Sequence, residues 1–210
     1  RFINGGRSIW LRSSLVVFQF FISILLIVCT MVVYNQLFYI QHKKIGYDKN
    51  NVLVIQDIWS LNKNQDIFRQ LVQKDSRVIS VSSSGYVPAG NSYHNNFFGS
   101  PGENPTQMVK TRRYEVDENY ISTLGMHLLK GRNFSKQFGA DSNNVILNEA
   151  AVRAFGWQHG ALGKYFTRST KEGRNDIYTV IGVVKDFNFK SLHENITPLA
   201  MFFCPNKGTL

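Results

Sequence analysis

The chain has 210 residues, with 24 Lys/Arg against 14 Asp/Glu, a net charge of +10, and two cysteines. Residues 1–49 hold six of the basic residues and one acid, Asp48, so the remaining 18 basic and 13 acidic residues leave a scattered excess that gives no ground for a nucleic-acid partner. Cys29 lies in an apolar run and Cys204 near the far end, which leaves no internal disulfide framework.

The start, RFINGGRSIWLR, carries Arg1, Arg7 and Arg12 and no acid. Such a segment favours the cytoplasmic side of a membrane, and residues 1–14 are assigned there. Between Arg12 and Lys43 there is no charged residue. A bilayer core needs roughly 20 mostly apolar residues in a helix, and the assigned span is 15–41. A soluble core helix would carry a polar face. A signal peptide would have a shorter apolar region and a small-residue cleavage site. Trp10 on one side, with Tyr34 and Tyr39 on the other, matches aromatic residues placed at both interfaces. Gln19, Ser23 and Thr30 are the clearest polar residues inside the run. At 100° per residue they fall within about 40° of one another on the helical wheel. This stripe is expected to be a helix-packing face. Phe21, Leu25, Val28 and Val32 lie opposite.

Residues 45–210 are expected to form an extracytoplasmic domain, as one body or as two lobes. Val52–Ile55 reads as a buried strand. In NQDIFRQLVQKD, the residues Ile67, Phe68, Leu71 and Val72 share one helical face. RVISVSSSG alternates as a half-buried strand, with Ile79 and Val81 facing one way. From Tyr86 to Pro105 the composition turns to Gly, Pro, Asn and Ser, which predicts a long loop containing Phe97 and Phe98.

TQMVKTRRYEVD reads as a strand with a charged outer face. Asp117 is placed to cap a short helix, ENYISTLG, that Gly125 ends. MHLLKGRNF predicts a strand and turn. Asn144–Leu147 predicts a strand leading into a helix, with Asn148 as N-cap, Ala151, Val152 and Phe155 on its apolar face, and Gly156 as its stop. IYTVIGVVKDF is apolar on both faces and predicts a central strand. TPLAMFF closes the set. The predicted fold class is α+β: one transmembrane helix followed by a mixed domain.

Sites for chemistry are absent from this pattern. His42, His94, His127, His159 and His193 are never three to five residues apart, and there is no H-E-x-x-H, C-x-x-C, nucleophile elbow or phosphate loop. GALGK, Gly160 to Lys164, has the wrong spacing for a phosphate loop. Asp186, after the last buried strand, is expected to cap a turn or pair with Lys185 or Lys190. Glu149 is expected to favour its helix N-terminus electrostatically. No catalytic residue, cofactor or metal is assigned, and the chain is not read as an enzyme.

The ordered set SLVVFQFFISILLIVCTMVVYNQLFYIQHKKIGYDKNNVLVI, YISTLGMHLLKGRNFS, NNVILNEAAVRAFGW, LGKYF and YTVIGVVKDFNFKSLHENITPL resembles MacB/FtsX-like ABC-transporter permeases. It is most similar to the two-half permeases of Bacteroidetes, and it covers most of the chain. The resemblance implies an inner-membrane subunit with a MacB-like periplasmic core domain and further spans. It also implies a separate cytoplasmic ATP-binding subunit, a second permease half or a homodimer, surrounding lipid and a partner protein in the periplasm. In such permeases ATP hydrolysis is relayed mechanically to the outer domain. The alternative is a ligand-sensing ectodomain of a membrane receptor such as a histidine kinase.

Overall fold

The computed structural model describes residues 5–43, 45–56, 58–88, 95–99, 108–137, 141–169, 175–190 and 194–204. Helix α1, Gly5–His42, belongs to one compact unit, residues 1–44. It is long and apolar enough to cross a membrane, and its large apolar side chains from Trp10 to Ile40, Ile22 apart, are exposed.

The second unit, residues 45–210, is a mixed α+β domain. Its helices are α2 (Gln65–Gln73), α3 (Tyr120–Thr123) and α4 (Glu149–Ala154), with a 3-10 helix, Ile58–Asn64, leading into α2. Its strands are β1 (Asn95–Phe98), β2 (Val109–Val116), β3 (Leu128–Gly131), β4 (Asn144–Asn148), β5 (Tyr165–Ser169), β6 (Asn175–Val184) and β7 (Leu199–Phe203). They pair in the order β1-β2-β7-β4-β6-β3, with β5 also on β6. The β2–β7 and β4–β6 pairs are parallel and the others antiparallel. The first half of β6 carries β5 and its second half carries β3, while β4 runs along its other side. Past the end of β1, Gly99 N–H donates to Thr167 O of β5 (3.0 Å) and Thr167 N–H returns the bond to Gly99 O (2.8 Å). The sheet therefore curls until its two ends touch.

Alternation along β4 and β7 sorts the core into two clusters. Ile146, Leu199 and Met201 pack with Tyr120 and Ile121 of α3, and with Phe187 and Phe189. Val145, Leu147, Ala200 and Phe202 pack with Ala151 of α4, Phe98 and Trp157. On β6, Val180 and Val183 join the second cluster although they are three apart, and Val184 joins the first. The cause is an irregularity in the β4–β6 register between Val145 and Ile146, which shifts the side-chain parity of β6 beyond that point. Gly131 ends β3 at φ 79°, and a Cβ there would stand 2.1 Å from Ile181 O, so this position requires glycine.

Several expected elements form as read. Asn148 Oδ1 accepts from Ala151 N–H (2.9 Å) and starts α4, while Gly156, at φ 68°, follows its end. β6 is flanked on both sides, and β7 lies between β2 and β4. Other expectations need correction. Val52–Ile55 belongs to no strand, and Leu53 is 80% exposed. An apolar run signals burial, but a strand also needs a hydrogen-bonding neighbour, and no described strand runs beside this one. Val78–Ser82 is likewise outside the ladder. Val81 is buried and Ile79 fully exposed, so they do not share a buried face. Only the end of this segment fastens to β2, through Gly85 N–H to Glu115 O (2.9 Å) and Asp117 N–H to Ser83 O (3.1 Å). Helix α2 forms, yet none of its side chains is fully buried. Phe68 and Val72 lean inward with Arg69, whereas Ile67 and Leu71 are exposed.

The expected long loop contains β1, whose Phe98 is completely buried. Residues 89–94 and 100–105 of that loop, and the Phe97 side chain, lie outside the described residues. The outer face of β2 is not simply charged: Arg112 is 8% exposed and lies over the Phe189 ring at 5.5 Å. Strand β5 has no counterpart in the sequence reading. Its residues YFTRS include two aromatics, a threonine and a serine, a pattern too short to separate from a turn.

Candidate functional site: a polar stripe on α1 and three carboxylate knots

The sequence places Gln19, Ser23 and Thr30 on one face of α1, and all three are exposed in the structure. Ser23 Oγ donates to Gln19 O at 2.9 Å, and Thr30 Oγ1 donates to Leu26 O at 2.8 Å. Both hydroxyls thus satisfy themselves one turn back along their own helix, an arrangement that leaves them tolerable even against lipid. The Gln19 amide is the member of the stripe with the most to gain from a neighbouring helix.

In the sheet domain the polar groups gather around acids. Asp141 has no exposed side-chain surface. It accepts from Arg132 through both oxygens (2.7 and 3.0 Å), from Asn144 Nδ2 (2.7 Å) and from Ser135 N–H (2.8 Å). Burial pushes its pKa up, but these bonds and the Arg132 charge outweigh burial and hold it below the usual carboxylate range.

Asp117 follows β2 and also has no exposed side-chain surface. Its acceptors take Ser82 Oγ (2.6 Å), Ser83 N–H (2.7 Å), Asn119 N–H (3.1 Å) and Arg69 Nη1 of α2 (3.1 Å). Here burial dominates. The bonds from Ser82 and Ser83 and the Arg69 charge offset it only in part, and the Glu118 charge adds to it, so the pKa stays above the ordinary value. Asp117 does not cap α3 in the expected way: the N-cap is Asn119, and Asp117 instead fixes Asn119 N–H from two residues earlier.

The third knot contains the two acids singled out in the sequence. Glu149 opens α4, and its Oε2 accepts from Asp186 N–H (3.0 Å). Asp186 Oδ1 accepts from Ala150 N–H (2.9 Å), and Oδ2 from Arg153 Nη2 (2.5 Å). Asp186 therefore caps a helix start and pairs with Arg153. Lys190 pairs with Glu194 instead. Asp117 and Asp186 take most of their partners from residues 33 or more away in sequence, whereas Asp141 takes all of its partners from within nine residues; the Asn148–Glu149 helix start gave a local signal for the third knot.

Among the described residues, no group of three His, Cys, Asp or Glu stands close enough to hold a metal. His42, His127 and His159 are exposed and separate, and His94 and His193 lie outside the described residues. Lys164, the last residue of GALGK, rests over the Trp157 ring at 5.6 Å. A groove of about 190 Å³ lies between α4 and β3, with Trp157, Val152 and Val183 among its walls and Lys130 and Arg153 at its sides. Glu149 also lines it, and its Oε2 accepts from Asp186 N–H.

The family model of the MacB-like periplasmic core domain matches residues 13–202. The chain belongs to this family. The match begins inside α1 and runs through β4 and β6 into β7. Among solved structures, the periplasmic region of MacB from Actinobacillus actinomycetemcomitans superposes with a TM-score of 0.50 at 15% identity, covering 74% of this chain and 70% of that one. A domain of a putative permease from Porphyromonas gingivalis gives 0.44 at 13% identity, over 63% of this chain and 54% of that one. The extracellular domain of the ABC-type transporter YknZ from Gram-positive bacteria gives 0.45 at 14% identity, over 69% and 65%. No curated protein matches. At these identities the MacB likeness speaks for the fold, and the MacB-like core domain is accordingly a curled mixed sheet with helices on both of its faces.

Proposed function

We propose that this MacB-like chain is part of an ABC-transporter permease subunit of the inner membrane. Residues 1–14 lie in the cytoplasm, 15–41 span the bilayer, and 45–210 form the periplasmic domain. The subunit has no reaction of its own. A separate cytoplasmic ATP-binding subunit hydrolyses ATP, and the movement passes through α1 and its neighbouring spans to the outer domain, which acts on a substrate or on a periplasmic partner. The subunit works with a second permease half or a second copy of itself. One observation carries this reading: a single family match takes in the apolar helix and the sheet domain together. A sensor ectodomain gains no support from that match. Affinity purification of the full-length protein from its native membranes tests the proposal. A co-purifying ATP-binding subunit with vanadate-sensitive ATPase activity is the expected result. Isolation of the protein with a phosphotransfer partner and no ATP-binding subunit would overturn it.

A further inference from the structure

Residues 58–73, the 3-10 helix and α2, sit on the domain in an unusual way. Ile58 at one end is buried, whereas α2 at the other end has no fully buried side chain. An amphipathic helix normally adheres through its apolar face, yet Ile67 and Leu71 are 56% and 59% exposed. Phe68 and Val72 are only half-buried, and the contact of α2 that reaches fully buried groups is one of charge. Arg69, whose side chain is 13% exposed, reaches Asp117 at 3.1 Å and Glu118 at 3.9 Å. Glu118 is itself held by Lys136 at 2.7 Å. The flanking backbone is fastened at Asp48, whose N–H donates to Leu124 O (2.8 Å), and at Ser83, whose carbonyl accepts from Asp117 N–H (3.1 Å).

We propose that residues 58–73 are a hinged strap, pivoting at Ile58 and latched to the sheet domain by Arg69 on Asp117 and Glu118. The latch favours two discrete positions. A charge-assisted bond to a buried carboxylate is strong when made and leaves little attraction once its partner has withdrawn. Asp117 retains Ser82, Ser83 and Asn119 as donors when Arg69 leaves, so opening does not strand the acid without partners. Opening also separates Phe68 and Val72, both half-buried, from the sheet domain. Sequence alone gives no sign of this latch, because Arg69 and Asp117 are 48 residues apart.

Pulsed electron-spin measurements on the full chain in detergent test it, with Cys29 and Cys204 replaced by serine and spin labels at Leu71 and Lys130, both exposed. The parent chain should give one narrow distance. Arg69→Gln should add a second, displaced population, and Asp117→Asn should do the same. Arg77→Gln, which breaks only the exposed Asp75–Arg77 pair beyond α2, should keep the single distance. A label pair at Lys110 and Lys130, on β2 and β3, should keep one distance in every variant. An unchanged single distance in Arg69→Gln overturns the strap, as does a parent distribution equally broad. Broadening of the Lys110–Lys130 pair in Arg69→Gln overturns it as well, since the whole domain has then loosened. Because Arg69 is partly exposed, Arg69→Gln decides the matter even where Asp117→Asn fails to fold.

Discussion

Asp117 and Asp141 each have no exposed side-chain surface and each take four donors, yet the balance in them runs opposite ways. Asp141 is met by a two-pronged Arg132 and titrates below the ordinary carboxylate range despite burial. Asp117 is dominated by burial and titrates above it. The signs follow from linkage. A depressed folded-state pKa gives stability that is present above the unfolded value of about 3.9 and is lost as pH falls through the folded value. A raised one gives a contribution that is complete below the unfolded value and is lost as pH rises through the folded value. Unfolding of the parent, Asp141→Asn and Asp117→Asn chains should be compared from about pH 2 to pH 7, on both sides of the ordinary carboxylate value. The deficit of Asp141→Asn against the parent should shrink toward the acid end. The standing of Asp117→Asn against the parent should improve as pH rises past the ordinary carboxylate range. Parallel curves for both variants would show that neither acid titrates differently in the folded state.

At the scale of elements, sequence was most informative where the signal is local. Asn148, Ala151 and Gly156 mark the start, face and end of α4, and all three act as read. It was least informative where a segment depends on a distant neighbour. Val52–Ile55 has the composition of a buried strand but lacks a ladder, β1 hides in a Gly/Asn-rich stretch, and Arg69 finds its acid across the fold. The stripe on α1 falls between these cases. Its angular alignment is legible in sequence, but the intrahelical bonds of Ser23 and Thr30 are a structural finding that shifts the weight to Gln19. Interhelical hydrogen bonds in membranes average about 0.6 kcal/mol, so the stripe biases packing modestly. Cysteine substitutions along α1 of the full-length permease, with Cys29 removed, should crosslink to other spans best at positions 19, 23 and 30. Best crosslinking at 21, 25, 28 and 32 would place the packing face on the opposite side.

At the scale of the whole molecule, the orientation of the span decides which side of the membrane holds the sheet domain. Three arginines, Arg1, Arg7 and Arg12, precede the span, and three lysines, Lys43, Lys44 and Lys49, follow it, so a plain count of nearby basic residues ties. The rule weighs short loops, and long folded segments cross largely regardless of their charge. The 166 residues of the second unit form such a segment, so the lysines after the span raise no objection to the proposed cytoplasmic placement of the arginine-rich stretch before it. A family whose core domain is periplasmic points the same way. Fusions placed after Asn50 and after Leu210 separate the outcomes, using alkaline phosphatase, which folds only outside the cytoplasm, and a fluorescent reporter exported unfolded, which matures only inside it. Both fusion sites should give phosphatase activity and no fluorescence. Fluorescence after Asn50 would put the domain in the cytoplasm, and the force-relay reading would fail with it. Phosphatase activity after Asn50 joined to fluorescence after Leu210 would instead require a second crossing within residues 51–210, where no described helix is long and apolar enough to make one.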